Sequence, residues 1–266
     1  MLGAIAGDII GSLYEGMHRN IRTTEFPLFR DRSHFTDDTV LTVAVADAIL
    51  HGTPYYEKLK EYYGLYPGAG YGGAFKRWAR SDSVEPYNSF GNGSAMRVSA
   101  AGFAFDSIED VLSEAKKIAE VTHNHPEGIR GAQATAAAVF MARTGAGKEE
   151  IRQCVQGAFG YDLSESIDSL RTWYALDYNL LYISCQKSVP PAIIAFLDSE
   201  DFEDAIRKVV SIGGDTDTLA CITGGIAEAF YGGVPRDIQD QVVARLDERL
   251  SLVLLEFTEK YIKRRG

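Results

Sequence analysis

The chain has 266 residues, 45% of them hydrophobic and 24% charged, which is enough to bury a sizeable core in one large domain or two small ones. Its 27 basic and 37 acidic residues give a formal net charge of −10; this argues against a nucleic-acid binder, because such proteins rely on basic patches. The three cysteines are too few and too widely spaced for a disulfide framework or a CxxC metal site, so we expect a protein of the reducing cytoplasm.

Hydrophobic residues recur at helical spacing along nearly the whole chain. The first apolar stretch, 1–7, lacks a basic leader and meets Asp8 at once, so it makes a poor signal peptide. No apolar run approaches the roughly 18 residues that span a bilayer. The stripes that predict helices occupy residues 40–49, 108–119, 129–140, 202–210, 219–230 and 238–261. Pro235 precedes the last stripe as a first-turn proline.

Signals for strands and linkers are nearly absent. The one ambiguous segment, 180–185, is short. The segment 55–73 is too rich in aromatic residues to be a flexible tether, and no internal repeat occurs. The spacing of Gly3, Gly7 and Gly11 indicates close packing between helices. We therefore predict an all-α protein, a single compact multi-helix domain over residues 1–266.

Two acidic segments at predicted helix starts are the first candidates for a chemical site. They are Thr36-Asp37-Asp38-Thr39 and residues 213–218, with the sequence GGDTDT. N-capping of a helix explains one Ser, Thr or Asp at such a position, but each segment carries two carboxylates flanked by threonines. A DxDxT string also occurs in phosphatases with an aspartyl nucleophile. There it should end a buried strand, whereas here it follows the helix-periodic segment 202–210.

The number of carboxylates favours a metal site over two simple caps. Consecutive helical residues project about 100° apart, so Asp37 and Asp38 could address two neighbouring ions. If the fold brings Asp215 and Asp217 close to them, four carboxylates repel one another and their pKa values rise unless cations neutralise them. Ligands that are all oxygen suit Mg²⁺, Mn²⁺ or Ca²⁺ rather than zinc. The sequence predicts a two-metal site, on the condition that the fold joins the two segments.

Six ordered motifs, taken together, resemble those of the ADP-ribosylglycohydrolase family, the group of dinitrogenase reductase-activating glycohydrolase and crystallin J1. The landmarks are residues 7–15 (GDIIGSLYE), 35–39 (FTDDT), 71–75 (YGGAF), 88–97 (NSFGNGSAMR), 122–126 (THNHP) and 213–218 (GGDTDT). The resemblance runs from Gly3 to about Pro235 and is far more specific than any single motif.

This resemblance implies an all-α fold with a binuclear Mg²⁺ centre in a cleft, where Mn²⁺ is a possible substitute. It implies hydrolysis of the bond between C1 of the distal ribose of ADP-ribose and an arginine or serine side chain. The implied metal ligands are Thr36, Asp37, Asp38, Asp215, Asp217 and Thr218. Glu15 matches a glutamate that lies on a mobile flap in some relatives. Glu15, Asp37 and Asp217 are the candidate catalytic residues, and the choice of general base stays open among the carboxylates.

Two glycine-rich loops resemble the phosphate-facing loops of the family. Glycine lets backbone N–H groups approach an anion, and the second loop precedes a predicted helix whose positive end points at it; the alternative is an ordinary turn. Tyr87 is the aromatic residue best placed to stack on adenine. His123 resembles a position that contacts the distal ribose, although a histidine that only orders its loop is an equal alternative. The candidate substrate-binding residues are Gly72, Gly73, Tyr87, Ser89, Phe90, Gly91, Asn92, Gly93 and His123.

Three functions are compatible with these residues. The first is a Mg²⁺-dependent hydrolase that removes ADP-ribose from modified side chains. The second is a hydrolase of small ADP-ribose metabolites, and the third is a binder of ADP-ribose without activity. The complete set of ligand aspartates favours an enzyme over the binder. We expect a monomer with an ADP-ribose-bearing substrate and neither membrane nor nucleic-acid partners; the acceptor linkage is not decided by the sequence.

Overall fold

The computed structural model describes residues 1–16, 20–176 and 183–263, and helices dominate these ranges. The first eight are α1 Leu2–Gly11, α2 Asp37–His51, α3 Tyr55–Leu65, α4 Gly73–Arg80, α5 Gly93–Met96, α6 Ser99–Ala104, α7 Ile108–Glu120 and α8 Pro126–Arg143. The others are α9 Lys148–Phe159, α10 Ile167–Leu176, α11 Cys185–Asp198, α12 Phe202–Ile212, α13 Thr216–Tyr231, α14 Arg236–Val243 and α15 Glu248–Phe257, followed by a π-helical turn, Thr258–Ile262. The predicted all-α fold is confirmed.

Local sequence signals fix many helix ends. The side chains of Ser107, Asp201 and Asp247 each accept a hydrogen bond from the backbone three residues later and so begin α7, α12 and α15. At the other end, Gly52 and Gly160 close α2 and α9 in the left-handed conformation, which glycine adopts without steric cost.

Helices α1 and α13 share the most extensive contact of any helix pair in the described structure. The side of α1 that carries Gly3, Gly7 and Gly11 lies directly on α13: a methyl group on Gly7 would overlap the carbonyl of Ala220. The predicted packing role of these glycines is therefore confirmed. All but one residue of α1 and the first thirteen residues of α13 are buried, and the remaining helices pack around this pair in one continuous hydrophobic core.

The structure corrects the C-terminal prediction. The apolar stripe 238–261 does not form one helix but is divided between α14, α15 and the π-helical turn. Asp247 causes part of the break, because its Oδ1 accepts the N–H of Leu250 at 2.9 Å and starts a new helix there. Pro235 lies at the capping position before Arg236 and not within the first turn of α14.

The ambiguous segment 180–185 is only partly described. Residues 180–182 lie outside the described ranges, Ser184 forms an isolated antiparallel bridge with Gly91, and Cys185 begins α11. Apart from that bridge, the described residues contain no β-strand. Among them, too, no helix is both long and apolar enough to cross a membrane.

Candidate active site

A cleft of about 430 Å³ lies where the N-terminal ends of α2, α4 and α13 meet the loop that leads into α5. This volume falls within the range of pockets that hold small molecules and cofactors. One part of the cleft is acidic and is lined by Glu15, Asp37, Asp38, Asp215 and Asp217. The glycine-rich segments line another part. The fold therefore brings the two acidic segments together, which is the condition on which the two-metal prediction depended.

The acidic residues form two clusters that share one side chain. Carboxylate oxygens of Asp8, Asp38 and Asp217 lie within 4.8 Å of one another, and so do those of Glu15, Asp215 and Asp217. The first cluster is wholly buried, whereas the second reaches the exposed Glu15. Asp217 therefore stands between two sets of oxygen ligands.

Asp8 is a site residue that the sequence interpretation missed. Its carboxylate, fully buried on α1, accepts hydrogen bonds from the backbone and hydroxyl of Thr36, at 2.9 and 2.7 Å, and from those of Thr39, at 3.0 and 2.5 Å. Asp8 thus holds the start of α2, where Asp37 and Asp38 begin. The available signal was a single aspartate inside an otherwise apolar helix pattern, since such a residue is rarely buried without partners.

Burial raises the pKa values of Asp37, Asp38 and Asp217. The pKa of Asp37 rises to about 8, chiefly through burial and then through the charges of Asp8 and Asp215. The pKa values of Asp38 and Asp217 are also raised well above the ordinary range, first by burial and then by their acidic neighbours. This repulsion is the condition that bound cations relieve.

The donor set fits a divalent metal ion. Oδ1 of Asp38 is buried and has no hydrogen-bond partner within the described chain, and buried polar atoms are rarely left unsatisfied. The surrounding ligand atoms are carboxylate and hydroxyl oxygens, which suit hard cations such as Mg²⁺, Mn²⁺ or Ca²⁺. These buried acidic residues could therefore hold a metal ion.

The remaining predicted ligands lie in or against this acidic region. Thr36 caps α2 and donates its hydroxyl to Asp8, but it is not one of the residues that line the cleft. Thr218 lines the cleft, and its hydroxyl lies 3.4 Å from Oδ2 of Asp38. Asp37 also lines the cleft but belongs to neither three-carboxylate cluster among the described residues. Its backbone N–H donates to the carbonyl of Ala69 at 2.7 Å.

The loop of residues 89–93 is held by specific hydrogen bonds. Ser89 Oγ accepts the N–H of Gly91 at 3.1 Å, and the N–H of Asn92 donates to the carbonyl of Ile183 at 2.8 Å. The buried Asn92 side chain donates to Ser188 at 2.8 Å and to Asp215 at 2.6 Å. Ser89, Gly91, Asn92 and Gly93 all line the cleft. The helix predicted to follow this loop is α5, and it has only four residues.

The other predicted substrate residues divide into those in the cleft and one outside it. Gly72 and Gly73 line the cleft at the start of α4, whose first N–H groups have no partner within the helix. Tyr87 and His123 line it as well, with ring centroids 6.0 Å apart. Phe90 does not line it; its side chain is 43% exposed and packs against His125.

Comparison with known proteins agrees with this geometry. The sequence model of the ADP-ribosylglycohydrolase family matches residues 1–264. The chain is 28% identical over 308 residues to "ADP-ribosylhydrolase ARH3" of Gallus gallus, covering 87% of this chain and 84% of that protein. For the protein of the same name in Homo sapiens the identity is 28% over 305 residues, with the same shares covered.

Two further likenesses come from a bacterial protein and a solved structure. "ADP-ribosylarginine hydrolase Tri1" of Pseudomonas putida is 26% identical over 291 residues, which cover 91% of this chain and 72% of that protein. A solved structure titled "ADP-ribosylglycohydrolase-related protein complex" matches with a TM-score of 0.71 at 24% identity, over 97% of this chain and 96% of that one. This match to a solved structure shows similarity of fold.

Proposed function

Because the chain belongs to the ADP-ribosylglycohydrolase family, we propose that it is a Mg²⁺-dependent hydrolase that cleaves the glycosidic bond between ADP-ribose and an arginine or serine side chain. The observation that carries this proposal is the pair of carboxylate clusters that share Asp217 at the wall of the cleft. The names of the ARH3 and Tri1 relatives support the same reaction.

The residues that would hold two metal ions are the six oxygen donors around the acidic clusters: Thr36, Asp37, Asp38, Asp215, Asp217 and Thr218. When bound, divalent ions supply positive charge that offsets the carboxylates and polarises oxygen atoms in the cleft. Asp8 would act behind these ligands, because it accepts the hydrogen bond of the Thr36 hydroxyl. One lone pair of that hydroxyl oxygen accepts the N–H of Asp38 at 3.3 Å, and the other stays available for a metal ion.

The carboxylates at the mouth of the cleft would carry the proton transfer. Glycoside cleavage passes through an oxocarbenium-like state that needs an activated water and nearby negative charge. Glu15 is exposed and lines the cleft beside Asp215 and Asp217. We assign Glu15 as the acceptor of the proton from the attacking water. Asp37 and Asp217 supply negative charge beside the ribose C1.

The remaining parts of ADP-ribose would lie along the glycine-rich region of the cleft. Backbone N–H groups of Gly72, Gly73 and the loop 89–93 suit the pyrophosphate, because they carry partial positive charge at close approach. Tyr87 is placed to stack on the adenine ring, and His123 faces the same space. Phe90, which lies outside the cleft, would shape the loop through its contact with His125.

The test is release of free ADP-ribose from ADP-ribosyl-arginine and ADP-ribosyl-serine peptides, each with Mg²⁺ and with EDTA. If ADP-ribose is released from one of the two peptides, and EDTA stops this release, the result supports the reaction, the metal requirement and the linkage together. No release from either peptide, with ADP-ribose still bound, would instead indicate a hydrolase of small ADP-ribose metabolites or a binder without activity.

We further propose that residues 1–266 form one domain that acts as a monomer in the cytoplasm. The shared hydrophobic core of the described helices supports one domain. The three cysteines are free thiols, which suits a reducing compartment. Light scattering of the purified protein at several concentrations tests the monomer.

A further inference from the structure

Arg97 is a buried cation whose position the assigned function does not explain. It follows α5, is 0% exposed and lies against the cleft wall. No carboxylate forms an ion pair with it within the described ranges, and burial lowers its pKa to about 10. Its Nη2 donates to the carbonyl of Ile118 at 2.9 Å and to Thr122 Oγ1 at 2.8 Å. A buried charge without an ion-pair partner is costly, which indicates that the position of this guanidinium serves a purpose.

The hydroxyl of Thr122 links Arg97 to His123. Its Oγ1 lies 2.7 Å from His123 Nδ1, and the Thr122 side chain is fully buried. A hydroxyl has one proton to donate and two lone pairs to accept with. A guanidinium can only donate, so one lone pair of Thr122 is committed to Arg97. The other hydrogen-bond partner of Thr122 Oγ1 in the described chain is His123 Nδ1, and no carbonyl or carboxylate oxygen there accepts from this hydroxyl, which leaves the Thr122 proton for His123.

We propose that Arg97 is a positioning residue that orients the Thr122 hydroxyl toward His123 Nδ1, so that His123 carries its proton on Nε2 and presents it to the cleft. Nε2 makes no hydrogen bond with the described part of the chain. It faces the glycine-rich loop, since a methyl group on Gly93 would lie 3.3 Å from it. The identity of its partner rests on the proposed function: this N–H would donate to a ribose or phosphate oxygen of the ADP-ribose ligand.

Charge and burial support a neutral ring. Burial lowers the pKa of His123 well below its usual value, and the nearby positive charge of Arg97 lowers it further. A neutral imidazole with its proton on Nε2 can donate from that atom but cannot accept there. His123 therefore serves as a hydrogen-bond donor to the ligand, and the proton acceptor of the reaction must be sought among the carboxylates.

The experiment is long-range ¹H–¹⁵N NMR of unliganded protein with ¹⁵N-labelled histidine. The chain has five histidines, and the spectrum of His123→Gln identifies the signals of His123. We expect the pattern of a neutral ring protonated on Nε2. A ring protonated on Nδ1, or on both nitrogens, would overturn the proposal. This measurement needs neither substrate nor metal, so it stands even if the proposed reaction fails.

Two substitutions at Thr122 test the link to the ligand. Thr122→Val keeps the shape but removes the hydroxyl. We expect it to lose the uniform Nε2 protonation and to weaken ADP-ribose binding about tenfold, the value of one hydrogen bond. Thr122→Ser restores the hydroxyl and should restore both properties to within about twofold. An unchanged NMR pattern in Thr122→Val, or a failed rescue by serine in a folded protein, would contradict the proposal.

Arg97 itself is tested by Arg97→Lys, which keeps a charge but loses the guanidinium geometry. If this variant folds, as judged by its helical circular dichroism, the proposal expects a mixed tautomer at His123. A folded Arg97→Lys with the wild-type NMR pattern would assign the positioning role to Thr122 alone and overturn the role of Arg97. If the variant does not fold, the Thr122 pair still tests whether the hydroxyl that accepts from Arg97 sets the tautomer of His123.

Discussion

Asn92 Nδ2 donates a 2.6 Å hydrogen bond to Asp215 Oδ2, and this contact joins the glycine-rich loop to the acidic clusters. The second proton of the same amide is donated to Ser188, at the start of α11. The side chain is buried, so the contact is held in a fixed geometry. A loop expected to contact the phosphates is therefore connected to a carboxylate expected to bind metal.

Substitution of Asn92 should disturb the metal site more than the fold. We expect Asn92→Ala to weaken Mg²⁺ binding about 10- to 100-fold, because residues that orient metal ligands typically contribute that much. Ser188→Ala is the matched control, since it removes the other partner of Asn92 and leaves the bond to Asp215. Calorimetric titration with Mg²⁺ measures the affinity of both variants for the ion. Equal loss in the two variants would show that the contact with Asp215 is not the important one.

Asp217→Asn should abolish activity while leaving the helical fold intact. Asp217 belongs to both carboxylate clusters, so its charge affects both sets of ligands. We expect kcat/KM to fall at least about 100-fold, since a bound metal stabilises the transition state by several kcal/mol. Removal of one repelling charge should leave the metal-free Tm unchanged or higher. Asp240→Asn, on the exposed face of α14, is the control. Normal turnover by Asp217→Asn would contradict the assignment of two metal ions to this site.

Glu15→Gln should slow hydrolysis more than it weakens binding. Gln keeps the size and polarity of the side chain but cannot accept the proton of the attacking water. We expect kcat to fall about 100-fold or more, the usual contribution of a general base, with the Kd for ADP-ribose within a few-fold of wild type. Glu25→Gln, an exposed loop residue absent from the cleft lining, is the control. A defect confined to Kd would contradict the assigned role.

The contact between α1 and α13 predicts opposite effects of two glycine substitutions. Gly7→Ala forces a methyl group onto the Ala220 carbonyl, and we expect a loss of about 1–3 kcal/mol in the free energy of unfolding, typical of overpacking. Gly157 lies on the exposed face of α9 with open space around it, so Gly157→Ala should gain about 0.5–1 kcal/mol in the free energy of unfolding through helix propensity. Urea unfolding measures both. Similar values for the two variants would mean that α1 can move away from α13.

Stabilisation by Mg²⁺ should grow as the pH rises. In the metal-free fold the pKa of Asp37 is raised from 3.8 to about 8, so the folded state binds more protons than the unfolded state between these values. This raised pKa makes the metal-free protein lose stability as pH rises through that window. Mg²⁺ replaces the protons, and the increase in Tm on adding it should be larger at pH 8 than at pH 6. A constant increase, measured against EDTA by differential scanning fluorimetry, would contradict this linkage.

Much of the fold and of the acidic centre is readable from the sequence. The helical spacing of apolar residues and the Thr-Asp segments at helix starts predicted α2 and α13 correctly, because capping and amphipathicity are local properties. The sequence could not show that positions 37 and 217 meet, since that depends on how α1, α2 and α13 pack. The resemblance to a family supplied the expectation, and the geometry of the carboxylates now supports it.

Other features were hidden because their meaning is not local. Asp8 looked like a polar interruption of an apolar stretch, and only the fold shows Thr36 and Thr39 donating to it. The division of segment 238–261 was missed because Asp247 is a cap inside an otherwise continuous pattern. The role of Arg97 could not be predicted, because no residue near it in the sequence indicates that its guanidinium is buried without a carboxylate partner.

The pairing of α1 with α13 also has a consequence for how the protein is made. Asp8 lies on α1, and its partner Asp217 is synthesised more than 200 residues later. A nascent chain that ends before α13 therefore exposes the glycine-bearing side of α1 and lacks Asp217, the residue that both carboxylate clusters share. Assembly of the acidic clusters must then be among the last events of folding, since contacts distant in sequence form only after the intervening chain has been ordered.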